Sequence, residues 1–388
     1  MKIVIAPDSF KETLAASEVA LAIETGFRQV FPDWQYIRCP MADGGEGSLA
    51  SLIAATNGRK VNLEVIGPLG STIASHYGIS GDGATAYIEM AAASGIELIA
   101  PSQRNPLLTT SYGTGQLILH ALEQGIRRMI ICIGGSANND GGVGMMQALG
   151  VSFRDRQGAE LAFGGQSLAQ LASIDISAID SRLSQCEIEV ACDVSNPLTG
   201  PEGASAVYGP QKGASAEMVA ALDGALANYA RVISQDLNLQ VSGLPGAGAA
   251  GGMGAAFYAF TNATFRAGIE IITEALELEP LIAASDLVIT GEGQLDSQSV
   301  NGKVPVGVAR LAARYHKPVI ALAGALGDDI EPAYQAGIDA AFASVYKITT
   351  LDEVITSASE NVTRTARNVA ATLKIGRTIN IQRDAEVE

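Results

Sequence analysis

Histidine, cysteine and aromatic side chains are scarce in this chain of 388 residues, which holds three His, four Cys, one Trp and 5% aromatics in all. His76, His120 and His316 stand without a Cys or His at zinc-ligand spacing, so a zinc centre is not expected. Cys39, Cys132, Cys186 and Cys192 form no C-x-x-C pair and read as buried free thiols. No G-x-S-x-G elbow is present, which leaves hydrolase chemistry without its nucleophile turn. No Walker A sequence occurs either, so any use of ATP proceeds without a P-loop. A G-x-G-x-x-G match at 246–251 follows Pro245 with no strand before it, and a dinucleotide site needs that strand.

Positive charge is also lacking. Against 41 Asp and Glu stand 25 Lys and Arg, a formal net charge of −16. Nucleic-acid binding needs a basic face, and an anionic membrane surface would repel this chain. The Gly/Ala-rich stretch 246–260 has 15 residues, short of the roughly 20 that span a bilayer. Pro7 and Asp8 interrupt the first apolar run too early for a secretion signal. A soluble cytoplasmic protein is expected.

What is abundant is apolar residues, at 47%, and glycine, at 43 residues, above the average usage of about 7%. The length suits about two domains with substantial cores. Six apolar, β-prone runs end in loops of Gly, Asp, Ser or Asn: KIVIAPDSFK, YIRCPMADGGEG, MIICIGGSANNDGG, IEVACDVSNPLTG, LVITGEGQLDS and PVIALAGALGDD. Most run straight into a helix-periodic stretch, as βα units of a parallel sheet do. Residues 1–60 read as βαβα, with strands at 3–6 and 36–38 and helices at 17–30 and 48–55. The segment 60–90 alternates around GPLG and GDG turns and reads as an antiparallel meander. Helices follow at 113–124, 144–149 and 216–233, strands at 129–133, 287–290, 319–323 and 340–345, and a last helix at 351–373.

The pattern predicts an α/β fold: a discontinuous, doubly wound domain with a second, mixed α/β domain inserted in it. The first takes 1–60, 105–155 and 268–388, and the second 61–104 and 156–267. A cleft between two such domains is the expected active site. Ligands of open α/β sheets bind outside the carboxyl ends of the strands, where these loops gather.

The loops carry carboxylates and lysines but no histidine, an inventory suited to phosphate and metal chemistry. In Pro7-Asp8-Ser9-Phe10-Lys11-Glu12, Ser9 and Glu12 fit a capping box that starts a helix. Lys11 then falls in the first turn, a poor place for a cation without an anion nearby, although an ordinary surface Lys is the alternative. Asp43 and Glu46 lie among three glycines, as a close backbone approach to a ligand or a plain turn requires. The run 134–142 (GGSANNDGG) has no apolar side chain larger than Ala, a composition costly in entropy and suited to a phosphate nest. Asp193 directly follows an apolar strand and is the candidate general base, while Lys212 adds a cation among glycines. Glu292 and Asp296 share one loop and are candidate Mg²⁺ ligands, with Lys303 a point charge for phosphate.

The segments APDSFK, PMADGGEGS, GGSANNDGGVGMMQALG, ACDVSNPLTGPEGA, YGPQKGA and DLVITGEGQLDSQSVNGK together resemble the bacterial glycerate kinases of glyoxylate and glucarate/galactarate breakdown, from residue 1 to about 375. That resemblance implies a Rossmann-like domain joined to a second α/β domain. It also implies ATP-dependent phosphorylation of D-glycerate to 2-phosphoglycerate, with Mg²⁺. Under it, Lys11 and Lys303 neutralise phosphate or the substrate carboxylate, and Asp193 accepts the hydroxyl proton. Glu292 and Asp296 hold the metal, with Asp43 in reserve. Asp8, Ser9, Gly134, Gly135, Ser136, Asn138, Asp140 and Lys212 bind phosphate or substrate together with the helix start near 110–114, and Arg104 pairs with the glycerate carboxylate. The alternatives are a glycerate 3-kinase, a kinase of another small hydroxy acid, or a non-catalytic small-molecule sensor. Partners are small molecules only, and the chain is expected as a monomer or homodimer.

Overall fold

The computed structural model describes residues 1–10, 13–42, 44–45, 47–300, 303–348 and 350–385. Its two main sheets use β1 (Lys2–Ile5), β2 (Gln35–Arg38), β3 (Arg59–Ile66), β4 (Thr72–Ile79), β5 (Thr85–Glu89) and β6 (Arg128–Cys132). They are completed by β7 (Glu187–Ala191), β8 (Thr264–Arg266), β9 (Leu287–Thr290), β10 (Val319–Ala323) and β11 (Ala340–Ala343). The helices that matter for the site are α1 (Ala16–Arg28), α2 (Ser48–Ala55), α3 (Tyr112–Glu123) and α4 (Val143–Ala148). Further along are α5 (Ala216–Leu237), α6 (Val304–Ala313), α7 (Leu351–Thr356) and α8 (Ala358–Ala385).

The chain divides into two compact units, Met1–Asp43 with Ile269–Glu388, and Gly44–Gly268. Unit 1 is built on a parallel five-stranded sheet in the order β11-β10-β9-β1-β2. Its central strands are continuous apolar runs buried on both faces, as a covered parallel sheet demands. Strand order proceeds one way from β1 to β2 and the other way from β9 to β11, so the winding reverses between β1 and β9. Such a reversal opens a crevice at the carboxyl ends of the two strands.

Helices α1 and α8 cover one face together. Val19, Ile23 and Phe27 recur at helical spacing on α1 and meet Val362, Ala366 and Val369 of α8 over Ile3, Ile5 and Ile289. Gly26 sets the distance between the two helices. A Cβ there would sit 2.3 Å from the Thr363 carbonyl oxygen.

Unit 2 contains a mixed six-stranded sheet ordered β8-β7-β6-β5-β4-β3. The β3–β4 and β4–β5 pairs are antiparallel, the meander that GPLG and GDG turns imply, and β5 to β8 run parallel. The segment 105–155, expected alongside the two termini, lies here instead. Ile131 of β6 pairs with Ile88 of β5 and Val190 of β7. Its α3–β6–α4 rhythm suits either parallel sheet, and only long-range register distinguishes them. Helix α2 also belongs here, because Gly78 of β4 leaves room for Leu49 and Ile53.

Two local expectations change. No helix begins at Ser9: Phe10 and Leu14 exchange backbone hydrogen bonds at 2.9 Å, closing a tight turn, and α1 starts at Ala16. The Glu18 carboxylate accepts the Ala15 N–H at 2.8 Å, so the capping partner sits nine residues beyond Ser9. The last helix breaks at Ser357 into α7 and α8, and α8 extends to Ala385.

Replacing Gly26 by Ala should cost about 1–3 kcal/mol through overpacking at the α1–α8 contact. In a thermal melt this corresponds to roughly 2–4 °C per kcal/mol for a unit of this size. An unchanged melting temperature would mean that the helices part without cost.

Candidate active site

At the carboxyl edge of the unit 1 sheet the strand ladder continues into the loops. Asp8 N–H donates to Gly291 O at 2.8 Å, Gly324 N–H to Glu292 O at 3.1 Å, and Val345 N–H to Gly324 O at 3.2 Å. Glycine is required for this lacing: a Cβ on Gly291 would lie 2.0 Å from Leu322 O, and one on Gly324 2.4 Å from Gly293 O. The loops after β1, β9, β10 and β11 therefore form one wall.

That wall and the starts of α6, α7 and α8 enclose a pocket of about 420 Å³. Asp8, Ser9, Glu292, Gln294 and Lys303 line it with polar groups, and Val345, Leu351, Val354 and Ala358 with apolar ones. Asn361, on the first turns of α8, joins the lining as a buried amide.

Lys303 Nζ lies 3.1 Å from Glu292 Oε2, and Ser299 Oγ donates to Glu292 Oε1 at 2.6 Å. Burial pushes the Glu292 carboxyl above its ordinary range, opposed by the Ser299 hydrogen bond and the Lys303 charge. Ser299 Oγ also accepts the Asp296 N–H at 3.1 Å, which organises the 292–299 turn. Asp8 is buried and accepts the Ser9 N–H at 2.7 Å. Of the expected unit 1 residues, Asp8, Ser9, Glu292 and Lys303 come together in this pocket. Asp296 does not line it. Lys11 and Asp43 lie outside the described residues.

In unit 2 the expected residues separate into two groups. Asp193, Gly134 and Gly135 are exposed at the carboxyl ends of β7 and β6, and Asp193 accepts the Gly268 N–H at 3.0 Å. Gly44 and Gly45 cross these strand ends. A Cβ on Gly44 would meet Ala191 and Gly268 at 3.1 Å, and one on Gly134 would meet Gly45 at 3.3 Å. A close backbone crossing is the reason for glycine at these positions.

The rest of the 134–142 run is buried, and its other polar groups are largely bonded within the fold, while Asn138 Oδ1 and Asn139 Oδ1 have no partner among the described residues. Asp140 Oδ2 accepts from Ser111 N–H and Oγ at 2.8 Å and from Gly144 N–H at 3.3 Å. Its Oδ1 accepts from Asn138 Nδ2 at 2.8 Å and Gly142 N–H at 3.1 Å. The anion expected at the start of α3 is thus Asp140 itself, and it braces α4 as well. Lys212 is fully buried and donates to Ser136 Oγ at 2.6 Å and to Asn138 O at 2.7 Å. Burial pushes the Lys212 ammonium down to about 7, with the Asp140 charge opposing. Ser136, Asn138, Asp140 and Lys212 therefore hold the loop from within.

Arg104 sits beside this group. Its carbonyl oxygen would be 2.5 Å from a Cβ on Gly213, and its Nε is buried without a partner among the described residues. Such a donor fits a small carboxylate. Sequence reasoning missed Asn361, since a lone Asn in a helical pattern gives no signal until its burial is known. It missed Glu89 too: at the end of β5, its carboxylate accepts the Leu49 N–H at 2.8 Å and anchors the start of α2. The strand reading of AYIE ending in a charge was the available signal.

Comparison with known proteins adds four findings. The model of the glycerate kinase family matches residues 3–374. The chain is 58% identical to the glycerate 2-kinase of Escherichia coli K12, over 97% of this chain and 99% of that protein. It is 52% identical to the glycerate kinase of Haemophilus influenzae, over 96% and 99% respectively. A crystal structure from Salmonella typhimurium LT2, assigned as glycerate kinase 2, aligns with a TM-score of 0.89 at 60% identity, covering 97% of this chain and 99% of that one.

Lys212 generates a pH prediction. Its ordinary value is 10.5, so between about 7 and 10.5 the unfolded chain holds a proton that the folded chain does not. Stability therefore gains from this group as pH rises through that window, and the gain is absent below it. Lys212→Met should flatten the rise in unfolding free energy between pH 7 and 10 relative to the parent chain. Parallel pH profiles for the two proteins would contradict a proton-poor buried amine.

Proposed function

The chain belongs to the glycerate kinase family, and on that premise we propose that it transfers the γ-phosphoryl group of ATP to the 2-hydroxyl of D-glycerate, giving 2-phosphoglycerate and ADP. The observation that carries the reading is the unit 1 pocket, where a lysine and two buried carboxylates meet at the point of reversed winding. Phosphoryl transfer asks little covalent chemistry of the protein, mainly positioning and neutralisation of charge.

Lys303 is assigned to the transferring phosphate and Ser9 to a phosphate oxygen, with Lys11 in the same role from the first loop. Asp193 is assigned to the hydroxyl proton, because it is an exposed carboxylate fixed at the end of a rigid strand. Arg104 is assigned to the carboxylate of glycerate. Lys212, Asp140, Asn138 and Ser136 support the exposed Gly134 and Gly135 rather than touch a ligand.

The donor set fits Mg²⁺. No group of three or more Asp, Glu, His or Cys that would cage a metal exists among the described residues. Mg²⁺ usually takes one or two carboxylates and completes its shell with phosphate and water. Asp8 and Glu292 would hold it, with Asp296 and Asp43 as further candidates, and when bound it would neutralise phosphate charge. Among the described residues no helix is long and apolar enough to cross a membrane. A cytoplasmic location accords with two small, water-soluble substrates.

With ATP, Mg²⁺ and D-glycerate, enolase alone should consume the product, since it acts on 2-phosphoglycerate directly. A signal only after adding phosphoglycerate mutase would mean the 3-hydroxyl is the acceptor, and intact ATP would reject the kinase. Asp193→Asn should lower kcat by about 10²–10⁴ with little change in melting temperature.

A further inference from the structure

The pocket of unit 1 is polar at one end and apolar at the other, and the sheet order fixes which is which. Ser9 and Glu292 follow β1 and β9 at the centre of the sheet, and Lys303 caps α6 beside them. Val345 follows the edge strand β11, and Leu351, Val354 and Ala358 come from α7 and the start of α8. From β1 to β11 is three strand spacings, about 14 Å. A three-carbon hydroxy acid has no apolar surface to set against the second end and fills a small part of about 420 Å³. A purine joined to a triphosphate matches both the length and the change in polarity.

The geometry points to this pocket as the nucleoside triphosphate site, with the base between Val345 and Val354 and the phosphates toward Ser9, Gly293 and Lys303. The assignment rests on the kinase reading above and names where its donor binds. Asn361 is then the residue that selects the base. Among the lining residues of α7 and α8 it is the polar one; it is only 5% exposed, and its Nδ2 is held by Ser357 Oγ at 3.2 Å. With its amide orientation set by Ser357, Asn361 Oδ1 can accept from the 6-amino group of adenine, where guanine presents a carbonyl oxygen instead.

The test is calorimetric titration of the full chain with Mg²⁺ and β,γ-imido-ATP or its guanosine counterpart, alongside glycerate kinetics. Val354→Trp, which fills the apolar end, should weaken the adenosine analogue at least about tenfold and leave the KM for glycerate and the melting temperature unchanged. Asn361→Ala should reduce the preference for the adenosine over the guanosine analogue by about tenfold. Parental affinity in Val354→Trp with unchanged base preference in Asn361→Ala would overturn the assignment even if glycerate is phosphorylated. Failure of the chain to bind either analogue would overturn it too. Base-selective binding weakened by these changes, in a protein that leaves glycerate untouched, would support the nucleotide site and reject the glycerate reading.

Discussion

The pairing of β1 with β9 is the constraint on which the candidate site depends. Ile3, Val4 and Ile5 lie against Leu287, Val288 and Ile289, joining the first residues of the chain to a segment some 284 positions later. Asp8 and Glu292 become neighbours only when this pair closes, and the reversal of winding that opens the crevice exists only there. The loop-closure cost of such a separation grows slowly, as a logarithm of length, so a fully apolar strand pair suffices to meet it. In sequence, the same pairing makes Gly44–Gly268 an insertion within unit 1.

Beyond the strand ends, glycine keeps the wall continuous. Gly291 and Gly324 let the loops after β9 and β10 stay within hydrogen-bonding distance where a methyl group would strike a carbonyl. In unit 2 the glycines serve a different end, since they let a buried carboxylate collect its donors. Hydrogen bonds to a charged group contribute about 1.5–3 kcal/mol each, against about 0–1 kcal/mol for an exposed ion pair. By that comparison Asp140 outweighs surface contacts such as Lys347 with Glu353, at 3.4 Å and more than half exposed on both sides. The 134–142 loop is therefore a brace that presents two glycines and a strand end.

Much of this was legible in the sequence. Apart from the last helix, the named strand and helix positions follow from apolar runs and helical periodicity to within a few residues, and the meander from its GPLG and GDG turns. The α/β class and its division into two parts follow from the same rhythm. What was not legible depends on long-range register or burial. The segment 105–155 carries no local mark of which parallel sheet β6 joins. A lysine among glycines reads as a phosphate ligand until it is found enclosed, as Lys212 is. The Ser9–Glu12 spacing fits a helix start, yet the Phe10–Leu14 turn wins and Glu18 does the capping. Asn361 has no local signature because only the approach of α8 to the sheet edge makes it a lining residue.

The pocket of unit 1 is the proposed seat of the phosphoryl donor. A crystal structure of the protein with Mg²⁺ and β,γ-imido-ATP tests this most directly. Density for the terminal phosphate beside Lys303 and Ser9, with the metal on Asp8 or Glu292 and the base against Val354, is the expected result. Ordered nucleotide at Gly134 and Gly135 with the unit 1 pocket empty would contradict it.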